Sequence, residues 1–141
     1  MAKVNATAEV TNIGNQYTSS VTINQFDLIV DEPVEKGGED LGPAPGDYLC
    51  AALASCKAIT LRMYAQRQKW DIEEIKVVVN LFRNLAVTPV KNIFSVELSF
   101  KGALDPGQLN RLEVIAGSCP IHRMLAQPNE IITTLHQNTP P

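Results

Sequence analysis

DYLCAALASCKAITLRMYAQRQK, residues 47–69, contains neither proline nor glycine, and Leu49, Leu53, Cys56, Ile59, Thr60 and Met63 recur in it at intervals of about three and four residues. That spacing predicts a helix of about six turns. Its first half is rich in alanine and serine and apolar all round, which predicts burial on several sides and close approach by neighbouring elements. Trp70 and Asp71 end it.

The chain on either side of this helix reads as strands. Residues 3–12, 17–23 and 25–31 alternate polar and apolar side chains and are enriched in Val, Ile, Thr and Tyr, so three short antiparallel strands are expected, with turns at 12–15 and near Asn24. Between them and the helix, Pro33, Gly37, Gly38, Gly42, Pro43 and Pro45 require an irregular loop over 32–45 that lies on a surface or on a partner. After the helix, residues 74–82 and 91–101 predict two longer strands joined by an irregular turn containing Pro89. Asp105 is the expected N-cap of a second helix, with Pro106 in its first turn, the apolar pattern running from Gln108 to Ala116 and Gly117 as its stop. Pro120 opens a short third helix with Ser118 or Cys119 at its cap, and residues 130–136 read as a final strand. A single domain over residues 1–141 is expected.

Composition narrows the function. The net charge of −3 supplies no basic field for phosphate backbones or anionic lipid, which weighs against nucleic acid and membrane surfaces as partners. The opening MAKVNATAEV lacks the basic and apolar run of a secretory signal, and no stretch is long enough to span a bilayer, so a cytoplasmic location is expected. Three cysteines in such a chain favour reactive or buried thiols over a disulfide scaffold.

Cys56 lies mid-helix on the apolar stripe, where a free cysteine packs as a small hydrophobe unless something activates it. Cys50, six residues earlier, points away from it and reads as packing. Cys119 is placed at a helix start, where free N–H groups and the positive dipole end are expected to lower a thiol pKa, with His122 and Arg123 about one turn away as sources of positive potential. Two thiols far apart in sequence suit attack by one and resolution by the other.

The segment LGPAPGDYLCAALASCKAITLRMYAQRQKW resembles the proline-containing loop, central helix and helical cysteine of the OsmC/Ohr family, and RLEVIAGSCPIHRML resembles its second cysteine element. This resemblance implies an α+β fold, with antiparallel sheets wrapped around long central helices in an intertwined homodimer and active sites at the subunit interface. It implies a cysteine-based peroxidase for organic hydroperoxides, in which Cys56 becomes a sulfenic acid and bonds to Cys119. Neither metal nor organic cofactor is required, and a lipoyl or thioredoxin-like dithiol is the expected reductant. Well-characterised members add an arginine and a glutamate. No arginine precedes Arg62, and the glutamate position is Gly46, beside Asp47. Asp47 and Arg123, followed by Lys36 and Glu39, are the candidates for those roles.

Three other readings remain at this point. Cys119 and His122, with His136, have metal-ligand character but fall short of a closed zinc set. Cys119 with His122 could also form a cysteine hydrolase, although no third orienting group is evident. The last is a non-catalytic protein of the same fold, acting as a redox sensor or binding a small hydrophobic molecule.

Overall fold

The computed structural model describes residues 3–138 and is α+β. β1 (Glu9–Asn12), β2 (Ser19–Ile23) and β3 (Phe26–Val30) form an antiparallel sheet in that order, with Val10 opposite Val21 and Val21 opposite Leu28. Asn24 takes the left-handed conformation that the tight β2–β3 turn requires. α1 (Pro45–Gln68) is followed by β4 (Glu74–Asn84) and β5 (Lys91–Lys101), which pair in a two-stranded sheet, and by α2 (Pro106–Ala116) and α3 (Pro120–Leu125). These elements group into two compact units. One runs to Ala54 and includes Val78–Glu97; the other comprises Ser55–Val77 and the chain from Leu98 onward.

In the first unit, Asp31 organises the loop after β3. Its carboxylate accepts from the Thr18 hydroxyl at 2.8 Å and from the backbone N–H groups of Glu32, Glu39 and Leu41. Burial alone would favour the neutral acid, but these four donors outweigh it and hold the carboxyl below its ordinary pKa. The loop carries a short 3-10 turn at Val34–Lys36, and a Cβ at Gly38 would collide with the Glu32 carbonyl oxygen, so only glycine fits there. The Asp47 carboxylate accepts from the Ala44 N–H at 2.9 Å, satisfying one of the free donors at the start of α1.

In the second unit, Leu61 and Ala65 of α1, Ile72, and Leu112 and Ala116 of α2 form the buried core. Tyr64 stacks edge-on against Trp70 at 5.6 Å and accepts a hydrogen bond from Arg111 of α2. α1 ends without glycine because Lys69 adopts the left-handed conformation and Trp70 N–H reaches back to the Ala65 carbonyl. α2 has the expected Asp105 cap, in a reciprocal arrangement with Gln108, and Pro106 opens the helix.

Two expectations from sequence are corrected. Within α1 the buried positions are Leu53, Lys57, Leu61 and Ala65, at four-residue spacing, whereas Leu49, Ile59 and Met63 are exposed. The stripe therefore lies one position further along than the apolar residues suggested, because Lys57 occupies a place on it. The segment 130–136 forms no strand and is exposed, with Leu135 at 92%. Alternation makes a strand only where a sheet edge supplies hydrogen-bond partners, and none of the described residues pairs with this segment.

Candidate active site

The packing of α2 on α1 fixes the chemistry of the second unit. Because Leu112 and Ala116 seat against Leu61 and Ala65, the carboxyl end of α2 arrives beside the preceding turn of α1, which carries Cys56 and Lys57. Gly117 and Ser118 then close on the last turn of α2 through Val114 and Ile115 carbonyls, and Pro120 starts α3. Cys119 is left at the N-cap of α3, where its sulfur accepts the His122 N–H at 3.3 Å. There it is completely buried, and the nearby thiol of Cys56, itself only half-buried, acts on its ionisation. The two predicted thiols thus share one unit of the fold, one reachable and one sealed.

In the same unit sits a residue that the apolar pattern does not reveal. Lys57 is 3% exposed, yet its Nζ donates to the Ala116 carbonyl at 2.6 Å and lies 2.8 Å from His122 Nδ1. A lysine is rarely buried unless its charge is matched, and here the carbonyl at the negative end of α2 supplies part of that match. Burial pushes the Lys57 pKa down, and the nearby sulfurs of Cys119 and Cys56 pull it back up. Burial also lowers the pKa of His122, and the Lys57 charge lowers it further, so the imidazole is neutral near neutral pH. An ammonium has only donors, so His122 accepts at Nδ1 and carries its proton on Nε2.

The sequence expectation that the helix start would lower the Cys119 pKa is reversed. Burial pushes this thiol up, and the neighbouring Cys56 thiol adds to that; the His122 N–H and the Lys57 charge offset only part of it. Neither His122 nor Arg123 supplies the positive potential. His122 is neutral, and Arg123 is an exposed residue whose backbone N–H donates to the Cys119 carbonyl at 3.2 Å.

Asp47 and Lys36 lie in the first unit, along a cleft of about 490 Å³ that Cys50 also lines. Glu39 is exposed, with its backbone N–H on Asp31. His136 lies in the exposed segment after α3. Among the described residues, no three His, Cys, Asp or Glu side chains gather to hold a metal ion. The hydrolase arrangement fails on geometry, since His122 turns its Nδ1 to Lys57 and only its backbone N–H to the Cys119 sulfur.

The model of the OsmC-like protein family matches residues 37–134, which cover both cysteine elements. The chain belongs to the OsmC family. An osmotic stress induced and detoxification response protein of Psychrobacter arcticus 273-4 has a similar structure, with a TM-score of 0.73 and 24% identity over 87% of this chain and 90% of that one. An organic hydroperoxide resistance protein OsmC of Legionella pneumophila gives 0.68 at 20% identity, covering 89% and 91%. OhrB of Bacillus subtilis, also an organic hydroperoxide resistance protein, gives 0.60 at 24%, covering 84% and 89%. At these identities the likeness establishes the OsmC-like fold, as the sequence led us to expect. A search of curated proteins finds no match. No helix among the described residues is long and apolar enough to cross a membrane.

Proposed function

We propose that this OsmC-family protein is a thiol-dependent peroxidase that reduces organic hydroperoxides, with Cys56 as the attacking thiol and Cys119 as the resolving one. The observation that carries the reading is the neighbourhood of these two distant cysteines within one unit of the fold. Their unequal burial orders the steps. The half-buried Cys56 can meet a peroxide, whereas Cys119, fully buried and with its pKa pushed up, is suited to attack a sulfur already beside it.

The Cys56 thiolate attacks the terminal oxygen of the hydroperoxide; the O–O bond breaks, an alcohol leaves after protonation, and Cys56 becomes a sulfenic acid. The Cys119 thiol then displaces that hydroxyl as water and forms the disulfide, and an external dithiol returns both sulfurs to the reduced state. The hydroperoxide resistance named for several structural relatives supports a peroxide-related role.

The chain works in this reading as one OsmC-like domain in a homodimer, located in the cytoplasm. Ile131, Ile132 and Leu135 are 89%, 81% and 92% exposed in the single chain, and a second copy is the partner proposed to cover them. Arg123 is proposed as an accessory group for the peroxide, after the two cysteines.

The test is turnover. Cumene or fatty-acid hydroperoxide supplied with dithiothreitol or a lipoyl dithiol is consumed by the wild type, and Cys56→Ser abolishes consumption. A redox sensor or a binding protein of the same fold consumes no peroxide catalytically, and that result would exclude the enzyme.

A further inference from the structure

The peroxidase cycle leaves open where the proton of the attacking thiol goes and what protonates the alkoxide that departs. The structure offers one group for both tasks. We propose that Lys57 is the proton carrier of the two-thiol site, taking the Cys56 proton before attack and returning it to the leaving alkoxide, with His122 as the positioning residue that holds its amine. The inference rests on the peroxidase reading and deepens it.

Three observations support it. First, Lys57 is buried and follows Cys56 in the chain, and His122 joins it to the second thiol, its ring nitrogen 2.8 Å from Nζ and its backbone N–H 3.3 Å from the Cys119 sulfur; both sulfurs pull the Lys57 pKa up. Second, its Nζ has two acceptors, the Ala116 carbonyl at 2.6 Å and His122 Nδ1 at 2.8 Å. An ammonium has three N–H bonds and a neutral amine has two. Both hydrogen bonds therefore survive when one proton leaves, and the amine stays in place through the change of charge. Third, His122 is an exposed residue joined to this buried nitrogen, so the site has a polar connection to solvent. The Ala116 carbonyl from α2 and His122 from the first turn of α3 meet Nζ directly, and the sulfurs of Cys56 from α1 and Cys119 from the cap of α3 are near enough to act on its charge.

The charges balance at every stage. A Cys56 thiolate beside a Lys57 ammonium is neutral as a pair. On attack, sulfur takes the terminal OH of the hydroperoxide, the alkoxide takes one proton from the ammonium, and the products are a sulfenic acid, an alcohol and a neutral amine. The Cys119 thiol then displaces water, giving the disulfide beside a neutral lysine. After reduction by the dithiol, the Cys56 thiol passes its proton to the amine and the starting pair returns. No step leaves an uncompensated charge in a buried site, where such a charge is expensive.

The test compares wild type, Lys57→Met and Lys57→Arg in two assays: alkylation of Cys56 by iodoacetamide across pH, followed by mass spectrometry of its peptide, and consumption of cumene hydroperoxide in a single turnover. In Lys57→Met alkylation of Cys56 at neutral pH falls about tenfold. Its peroxide step falls by about 100-fold. Lys57→Arg restores alkylation at neutral pH, because its charge is retained, but leaves the peroxide step slow, because a guanidinium does not give up its proton. Should the methionine variant fail to fold, His122→Ala supplies the second arm at an exposed position. It shifts the midpoints of the pH–rate profile, whereas a merely structural role lowers the amplitude and leaves the midpoints in place.

Lys57→Met with wild-type alkylation and peroxide rate overturns the proposal, and so does Lys57→Arg with a wild-type peroxide step. Failure of the peroxidase reading itself is recognised separately, because the unsubstituted protein then consumes no hydroperoxide.

Discussion

Cys119→Ser separates the two thiols by role. The sulfur it replaces is completely buried and accepts the His122 N–H, with the Cys56 thiol nearby. A serine hydroxyl is nearly isosteric and still accepts from His122, so the cap of α3 remains. The cost comes from a more strongly solvated group placed where no water reaches. We expect about 1–3 kcal/mol, a loss of several degrees in Tm for a chain of this size. The catalytic effect is of another kind. With one equivalent of cumene hydroperoxide and no reductant, wild-type protein loses two hydrogens as its disulfide forms, whereas Cys119→Ser gains one oxygen on Cys56, trapped by dimedone and located by peptide mass spectrometry. Cys56→Ser, which keeps only the buried thiol of the pair, leaves Cys119 unoxidised. If Cys119→Ser leaves Cys56 unmodified, or if Cys119 oxidises in Cys56→Ser, the order of roles argued from burial is refuted.

Other predictions follow from the same packing. Leu112→Ala opens a cavity at a fully buried position that seats α2 on α1, and costs about 2–5 kcal/mol by urea denaturation; a change under 1 kcal/mol would contradict its place in the core. The Asp31 carboxyl is held below its ordinary value of 3.8, so its contribution to stability is complete above that pH and is lost as pH falls through the lower, folded value. Asp31→Asn removes this acid-side loss and also weakens the loop at neutral pH, since an amide cannot accept from all four donors; an unchanged pH slope would refute the assignment. Changing Ile131, Ile132 and Leu135 together to serine shifts the protein from dimer to monomer in sedimentation while leaving the fold of one chain intact, and an unaltered dimer places the interface elsewhere.

What the sequence disclosed was mostly local. Asp105, Pro106 and Gln108 specify the start of α2 within four residues, and Cys119-Pro120 marks the start of α3 in the same way. The strands of the first sheet and the span of α1 follow from alternation and from the absence of breakers. Tertiary context decided the rest. Lys57 is charged and was passed over, yet the sequence held a signal for it: positions 53, 57, 61 and 65 form one face, and three of them are apolar. Asp31 gave no such signal, because its donors come from Thr18 and from backbone groups up to ten residues away. The expectation of a low Cys119 pKa failed because the helix-start argument omitted burial, which here is the larger effect. Residues 130–136 have the pattern of a strand, but pairing is a property of neighbours and not of the segment alone.

The most direct measurement is peptide mapping of wild-type protein after one equivalent of organic hydroperoxide. The account predicts a disulfide joining the Cys56 and Cys119 peptides, with Cys50 left as a free thiol and the bond reversed by a dithiol. Unoxidised cysteines, or a disulfide that includes Cys50, would contradict it.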